Sequence, residues 1–84
     1  MTYTVTIRRR AAKALATLPV QDFERVRDAI RALGETPRPA GCKKLVGRNG
    51  WRIRVGRYRV IYEVADRALV VLVLDVGDRK DVYG

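Results

Sequence analysis

The chain has 84 residues, enough for one small domain with a modest core and too few for a second fold, so we expect a single domain over residues 1–84. One cysteine and no histidine exclude an internal disulfide and a Cys/His zinc site, and we expect neither a metal nor another cofactor. No apolar run approaches the ~18 residues of a membrane span, and the N-terminus lacks a charged head followed by a hydrophobic segment. These features predict a soluble, cytoplasmic protein.

Positive charge dominates the sequence and is unevenly distributed. Lysine and arginine number 18 against 9 acidic residues, and no acid occurs from Thr36 through Tyr62. The cations of that span are Arg38, Lys43, Lys44, Arg48, Arg52, Arg54, Arg57 and Arg59. A concentrated basic region favours a polyphosphate partner, with nucleic acid as the leading candidate. The alternative is that the charge only keeps a small protein in solution.

A strand and two helices are predicted in the N-terminal half. Apolar residues alternate with threonines from Thr2 to Ile7, which is typical of a strand. Good helix formers with an apolar stripe run from Arg8 to Leu18, and Pro19 ends them. Apolar residues recur at helical spacing from Asp22 to Leu33, and Gly34 provides a stop. The pattern predicts a strand followed by a helical hairpin.

The segment from Glu35 to Gly50 is predicted to be a long loop. It contains two prolines and three glycines, which interrupt regular structure. Its lysines and arginines precede the next predicted element directly. Basic residues on a loop of this length suggest a binding role.

A β-hairpin is predicted from Trp51 to Tyr62, with Gly56 and Arg57 as its turn. Apolar and basic residues alternate on both sides of that turn, as in half-buried strands. A two-residue turn pairs apolar residues on one surface, namely Val55 with Tyr58, Ile53 with Val60 and Trp51 with Tyr62. We expect the aromatic members of these pairs to belong to the core.

On the other surface, the same register pairs Arg54 with Arg59, and Arg52 lies two residues from Arg54. Two facing guanidinium groups repel by roughly 1 to 3 kcal/mol at an effective dielectric constant of about 20 to 80. Like charges in this position weaken a sheet. A bound anion would remove that cost, so the alternation predicts an anion site on this surface.

The C-terminal third is predicted to add one interior strand and a polar tail. Ala68 to Leu74 is continuously apolar, as in a strand covered on both faces, and follows a turn at Ala65–Arg67. Residues 75–84 are too polar to continue that strand and are expected to carry Arg79 and Tyr83 to the open side of the sheet. The elements predict an α+β fold in the order β-α-α-β-β-β. Its mostly antiparallel sheet has four to five strands, with the N-terminal helical hairpin packed on one face.

Several short motifs occur in a fixed order along the chain. After the strand and the helix pair ending in Leu-Pro come Lys-Leu-x-Gly at 44–47, Arg-x-Arg-Val-Gly at 52–56, Tyr-Arg-Val-Ile-Tyr at 58–62 and Gly-x-Arg-x-x-Val-Tyr at 77–83. Each motif is weak alone. Their order and spacing over nearly the whole chain resemble the RelE side of the RelE/ParE toxin superfamily.

The resemblance implies a toxin of a type II toxin-antitoxin pair, with a cognate antitoxin as partner. RelE-like members enter the ribosomal A site, bordered by ribosomal RNA, and cleave mRNA without a metal by attack of the 2′-hydroxyl on the adjacent phosphate. The family positions that act in cleavage fall on Arg52, Arg54, Arg59, Arg79 and Tyr83. The residues expected to contact RNA are Lys43, Lys44, Arg48, Arg57 and Lys80.

These residues can assist some steps of the 2′-hydroxyl attack and not others. Arginine stays protonated because its pKa exceeds about 12, so the cluster can stabilise a phosphorane but is a poor base. Arg79 would assist the leaving oxygen, and Tyr83 would hydrogen-bond or stack on a base. Where many relatives have histidine this chain has Asp78, and no general base is identified. Two other functions remain open: a ParE-like poison of DNA gyrase, and an RNA-binding relative with weak catalysis.

Overall fold

A computed structural model describes residues 3–78 as two helices and one sheet. The elements are β1 (Thr4–Ile7), α1 (Arg9–Ala16), α2 (Val20–Ala32), β2 (Lys43–Lys44), β3 (Trp51–Val55), β4 (Tyr58–Ala65) and β5 (Val70–Asp78). The five strands lie in the order β1-β5-β4-β3-β2, with β1 parallel to β5 and the other neighbours antiparallel. The α+β fold with a helical hairpin over a mostly antiparallel sheet is confirmed.

Both helices pack on the sheet through an apolar stripe. Ala11 and Leu15 are the buried residues of α1, and Val26 and Ile30 are those of α2, each pair one helical turn apart. Pro19 interrupts the helical pattern and becomes the N-cap of α2, because a proline cannot continue the preceding helix. Helix α1 is shorter than its predicted range of 8–18, and α2 begins two residues before its predicted start.

The core lies between the helices and one face of the sheet. Its sheet residues are Ile53, Tyr58, Val60, Tyr62, Val71, Val73 and Val76, and Trp51 is partly buried against them. Tyr62 is fully buried, and its hydroxyl donates a hydrogen bond of 2.7 Å to the carbonyl of Pro37. The predicted assignment of Trp51, Tyr58 and Tyr62 to the core is confirmed. The opposite face of the sheet, which carries no helix among residues 3–78, is called the open face below.

The predicted hairpin register is confirmed in full. Trp51 pairs with Tyr62, Ile53 with Val60 and Val55 with Tyr58, while Arg54 pairs with Arg59. Gly56 has a φ of +59°, which a two-residue turn of this kind requires and glycine adopts without strain. The turn chemistry therefore fixes which side chains reach each face.

Two predictions about the other segments were wrong. The expected loop over residues 35–50 contains β2, two residues long, which pairs with β3 and forms one edge of the sheet. The expected tail begins too early, since β5 continues through Asp78 instead of ending at Leu74. The pairing of β5 with β4 shifts register between Ile61 and Tyr62, which face Asp75 and Val73, so Leu74 is the extra residue at this bulge. In the described part of the chain, neither helix is long and apolar enough to cross a membrane.

Candidate functional site

The open face carries arginines on two adjacent strands. The register places Arg54 of β3 directly opposite Arg59 of β4, and Arg52 lies one pleat away, opposite Ile61. These three arginines are called the arginine cluster below. Regular strands hold their backbones at fixed spacing, with facing Cβ atoms about 4.5–5.5 Å apart. The predicted juxtaposition of the three residues is therefore observed.

Exposure differs sharply within the arginine cluster. Arg59 is only 3% exposed, Arg52 is half-buried and Arg54 is exposed. Across the sheet, Arg59 is paired with Gly77 of β5, which contributes no side chain to that position. A buried guanidinium has lost much of its hydration and interacts strongly with nearby charge, because the surrounding dielectric constant is lower than that of water. The cluster therefore combines one deeply buried guanidinium, Arg59, with one exposed guanidinium, Arg54.

Four carboxylates of residues 3–78 form ion pairs with cations outside the arginine cluster. The ion pairs are Arg10 with Asp75, Arg27 with Asp28, Arg38 with Asp66 and Arg57 with Asp78. Within residues 3–78, no carboxylate forms an ion pair with Arg52 or Arg54. The positive potential of these two side chains is consequently available to a ligand.

Strand β2 separates the two predicted RNA-contacting lysines. Lys43 pairs with Arg52 and shares the open face with it, whereas Lys44 pairs with Trp51 on the helical side. The Lys44 ammonium lies 5.3 Å from the centre of the Trp51 ring. Because successive residues of a strand point to opposite faces, Lys43 extends the arginine cluster and Lys44 does not.

Arg57 and Arg48 do not join the arginine cluster. Arg57 occupies the β3–β4 turn, where its guanidinium forms an ion pair of 2.6 Å with Asp78 and lies 6.0 Å from the Tyr58 ring centre. The hydrogen bond to Asp78 raises the pKa of Arg57. Arg48 is exposed in the loop between β2 and β3. Arg79, Lys80 and Tyr83 lie outside the described residues.

The tyrosines of residues 3–78 are poor proton acceptors. A hydrogen bond to Asp66 raises the pKa of Tyr3, a hydrogen bond to Asp22 raises that of Tyr58, and burial raises that of Tyr62. The ordinary pKa of a tyrosine is about 10, so all three are neutral near pH 7, and these upward shifts keep the ionised form scarcer still. The described part of the site thus supplies fixed positive charge, and its tyrosines supply no base.

A second group of polar residues surrounds a cleft of about 280 Å³ at the β2 edge of the sheet. Its lining consists of Arg38, Lys44, Asn49, Gly50, Trp51, Glu63 and Val64. The Arg38 guanidinium lies 5.2 Å from the Trp51 ring centre and bonds to both carboxylate oxygens of Asp66. Neither Arg38 nor Glu63 was predicted to be a site residue. The available signal was the position of Arg38 between two prolines, but recognising β2 was needed to place Lys44 beside Trp51.

Comparison with known proteins identifies the class to which this chain belongs. The family described as the ParE toxin of the type II toxin-antitoxin system parDE matches residues 5–83. The RelE1 protein of Methanocaldococcus jannaschii is 28% identical over 87 residues, covering 99% of this chain and 97% of that protein. The class is that of small toxins of type II toxin-antitoxin systems.

Solved structures of RelE proteins share the fold. The RelE of the archaeal RelE-RelB complex from Pyrococcus horikoshii is 34% identical, with a TM-score of 0.84 over 94% of this chain and 97% of that one. The RelBE2 toxin-antitoxin complex of Mycobacterium tuberculosis gives 27% identity and a TM-score of 0.83, covering 94% of this chain and 100% of that chain. The chain belongs to the RelE/ParE toxin superfamily.

Proposed function

We propose that this toxin is a ribosome-dependent endoribonuclease that cleaves mRNA in the A site. The observation that carries the proposal is the arginine cluster, in which Arg54 faces Arg59 and Arg52 lies one pleat away. Repulsion among these groups is relieved when an anion binds between them. An RNA phosphate has the charge and the oxygen geometry that guanidinium groups bind bidentately.

The proposed reaction is an internal transesterification of the RNA backbone. The 2′-oxygen forms a bond to the adjacent phosphorus, its proton passes to water, and the bond from phosphorus to the 5′-oxygen breaks. The leaving 5′-oxygen takes up a proton, so the products are a 2′,3′-cyclic phosphate and a 5′-hydroxyl. The arginines stabilise the extra negative charge on the phosphorane. Electrostatic stabilisation of this kind is usually the largest single contribution to catalysis. No metal is assigned a role.

Residue roles follow from position. Arg52, Arg54 and Arg59 bind the scissile phosphate, and Lys43 extends that positive surface along the row shared with Arg52. Arg79 is assigned to the leaving oxygen and Tyr83 to the neighbouring base, as the family resemblance implies. Arg48, Arg57 and Lys80 remain predicted contacts to RNA. Arg57 would contact it away from the scissile phosphate, since it pairs with Asp78 on the helical side.

An antitoxin is the proposed protein partner. The similar structures from Pyrococcus horikoshii and Escherichia coli are complexes of RelE with RelB. The excess of 18 basic over 9 acidic residues favours an acidic, amphipathic segment that covers the open face. Co-expression with the neighbouring reading frame should yield a copurifying complex, and failure to recover one would count against this partner.

The test of cleavage is 5′-end mapping of transcripts after induction of the toxin, with the termini of the cut RNA identified chemically. Cuts at A-site codons that leave 5′-hydroxyl ends are expected from the wild type. Arg59→Ala and Arg79→Ala should each abolish cutting and growth arrest, with circular dichroism showing that the variants remain folded. Undiminished toxicity in both variants would remove these arginines from the site.

A second candidate function is poisoning of DNA gyrase. It is favoured by the family description, which names a ParE toxin. A gyrase poison acts by binding a protein and does not require a phosphate site on the open face. Trapped gyrase-DNA complexes in a supercoiling assay, without mRNA cuts, would support it. RNA binding without cuts or trapped gyrase would instead indicate a catalytically weak RNA-binding relative.

A further inference from the structure

The cleft at the β2 edge contains two cations, of which one is ion-paired and the other is not. Arg38 is held by Asp66 through hydrogen bonds of 3.2 and 2.8 Å, so that charge is compensated. Lys44 is exposed, and no carboxylate in the described range pairs with it. Both cations lie over the Trp51 ring, at 5.2 and 5.3 Å from its centre. The Trp51 ring and the ion-paired Arg38 thus lie beside one accessible ammonium group, that of Lys44.

The cleft and the arginine cluster lie on opposite sides of the same edge strand, β2. Lys43 and Lys44 are consecutive residues of β2, one in the row of Arg52 and the other beside Trp51. Gly50, also in the lining, has no room for a side chain, since a Cβ there would lie 3.1 Å from both Leu45 and the Tyr62 carbonyl. A flexible phosphodiester chain bound at the cluster would reach the cleft by passing over the two lysines.

We propose that the Arg38–Lys44–Trp51 cleft binds a phosphate of the same RNA chain, one or more nucleotides from the scissile bond. This inference rests on the proposed function, because it takes RNA as the ligand of the cluster. The lining is mostly polar, which favours RNA over a protein partner. Its apolar side chains are Trp51, whose ring is already covered by two cations, and Val64. A protein partner would need an apolar anchor there. Glu63 is also in the lining, so the phosphate is expected to bind on the Lys44 side of the cleft, away from that carboxylate.

The single tryptophan of the sequence makes the site directly observable. Trp51 emission is followed while the purified toxin is titrated with a single-stranded oligouridylate, and total binding is measured in parallel by the anisotropy of a labelled oligouridylate. Both signals are recorded from low to moderate salt for the wild type, for Lys44→Ala and for Lys13→Ala. Lys13 is the matched control, being an exposed lysine on α1, which packs against β5.

A saturable change in Trp51 emission is expected at the concentrations where anisotropy rises. Lys44→Ala should lower the slope of log affinity against log salt by about 0.7, the value for one phosphate contact to a single strand, while Lys13→Ala leaves it unchanged. RNA binding without an emission change, or an unaltered slope in Lys44→Ala, would overturn the cleft assignment. An emission response to oligoglutamate and none to oligouridylate would overturn it in favour of an acidic protein segment. The assay contains no ribosomes and detects no cleavage, so failure of the proposed nuclease activity is recognised separately by end mapping.

Discussion

The side chain of Arg54 is exposed on β3 and stands directly opposite Arg59, with Arg52 on the same face. Arg54→Thr removes one charge from this cluster and places a good strand former in the sheet. We expect the free energy of unfolding to rise by about 0.5 kcal/mol at low salt, because like charges oppose each other across strands. We expect mRNA cleavage to fall by about 10²- to 10³-fold, as for the loss of one group that stabilises a transition-state oxyanion.

Urea denaturation and end-mapped cleavage measure these two effects on the same preparations. The control is Arg67→Thr, which removes an exposed arginine from the β4–β5 turn. It should change neither quantity by a comparable amount. A loss of stability in Arg54→Thr would show that Arg54 supports the fold, and retention of full cleavage would show that it does not act on the ligand.

Leu69 has a left-handed backbone conformation in the β4–β5 turn. Its φ is +56°, and the side chain is 49% exposed. A residue with a Cβ pays roughly 1–2 kcal/mol in this region, and glycine pays almost none. Leu69→Gly should therefore be more stable than Leu69→Ala by about 0.5–1 kcal/mol, the reverse of the usual order. Thermal and urea unfolding of both variants test this, and a more stable alanine variant would contradict it.

At the level of secondary-structure elements, Asp66 connects three separate segments. Its carboxylate accepts hydrogen bonds from Tyr3 just before β1 and from Arg38 in the α2–β2 loop, while Asp66 itself begins the turn after β4. The bond from Arg38, followed by that from Tyr3, lowers the pKa of Asp66 in the folded protein. The ionised form therefore binds these partners more favourably than the protonated form.

The sign of the pH dependence follows from that lowered pKa. Stabilisation by Asp66 is fully present above its unfolded pKa of about 3.9 and is lost as the pH falls through the lower folded value. Asp66→Asn should be less stable than the wild type from pH 5 to 8, and the difference should shrink below about pH 4. Urea unfolding across this range measures it. An equal difference at pH 3 and pH 7 would indicate lost packing instead of lost charge.

The elements that sequence reasoning predicted well are those whose own residues fix their geometry. The hairpin from Trp51 to Tyr62 has strict alternation and a glycine turn, so its register and faces follow from local rules. Strand β2 was missed because two residues carry no periodicity, and it exists through its pairing with β3. The end of β5 was missed because Asp75 and Asp78 are satisfied by distant partners, Arg10 and Arg57.

The candidate site was predictable only where local sequence rules apply, as was the fold. Alternation alone placed Arg52, Arg54 and Arg59 on one surface, as observed. The positions of Lys44 and Arg57 were not predictable, because each depends on a contact made across the fold, with Trp51 and Asp78 respectively. Charge counts along the sequence cannot distinguish a paired guanidinium from an accessible one.

At the scale of the whole molecule, the excess of 18 basic over 9 acidic residues acts on a body of 34 × 29 × 25 Å. At 0.01 M salt the Debye length is about 30 Å, so every cation repels every other across the molecule, whereas at 0.15 M it is about 8 Å and only neighbours interact.

We expect the free energy of unfolding to rise with sodium chloride over this range, because screening removes repulsion that the folded state concentrates. Lys13→Glu should show a smaller salt effect, since it lowers the net charge at an exposed helical position. Urea midpoints at the two salt concentrations measure both effects. A midpoint that falls with salt would mean that the described ion pairs outweigh the repulsion, and the open face would then not be a destabilising concentration of charge.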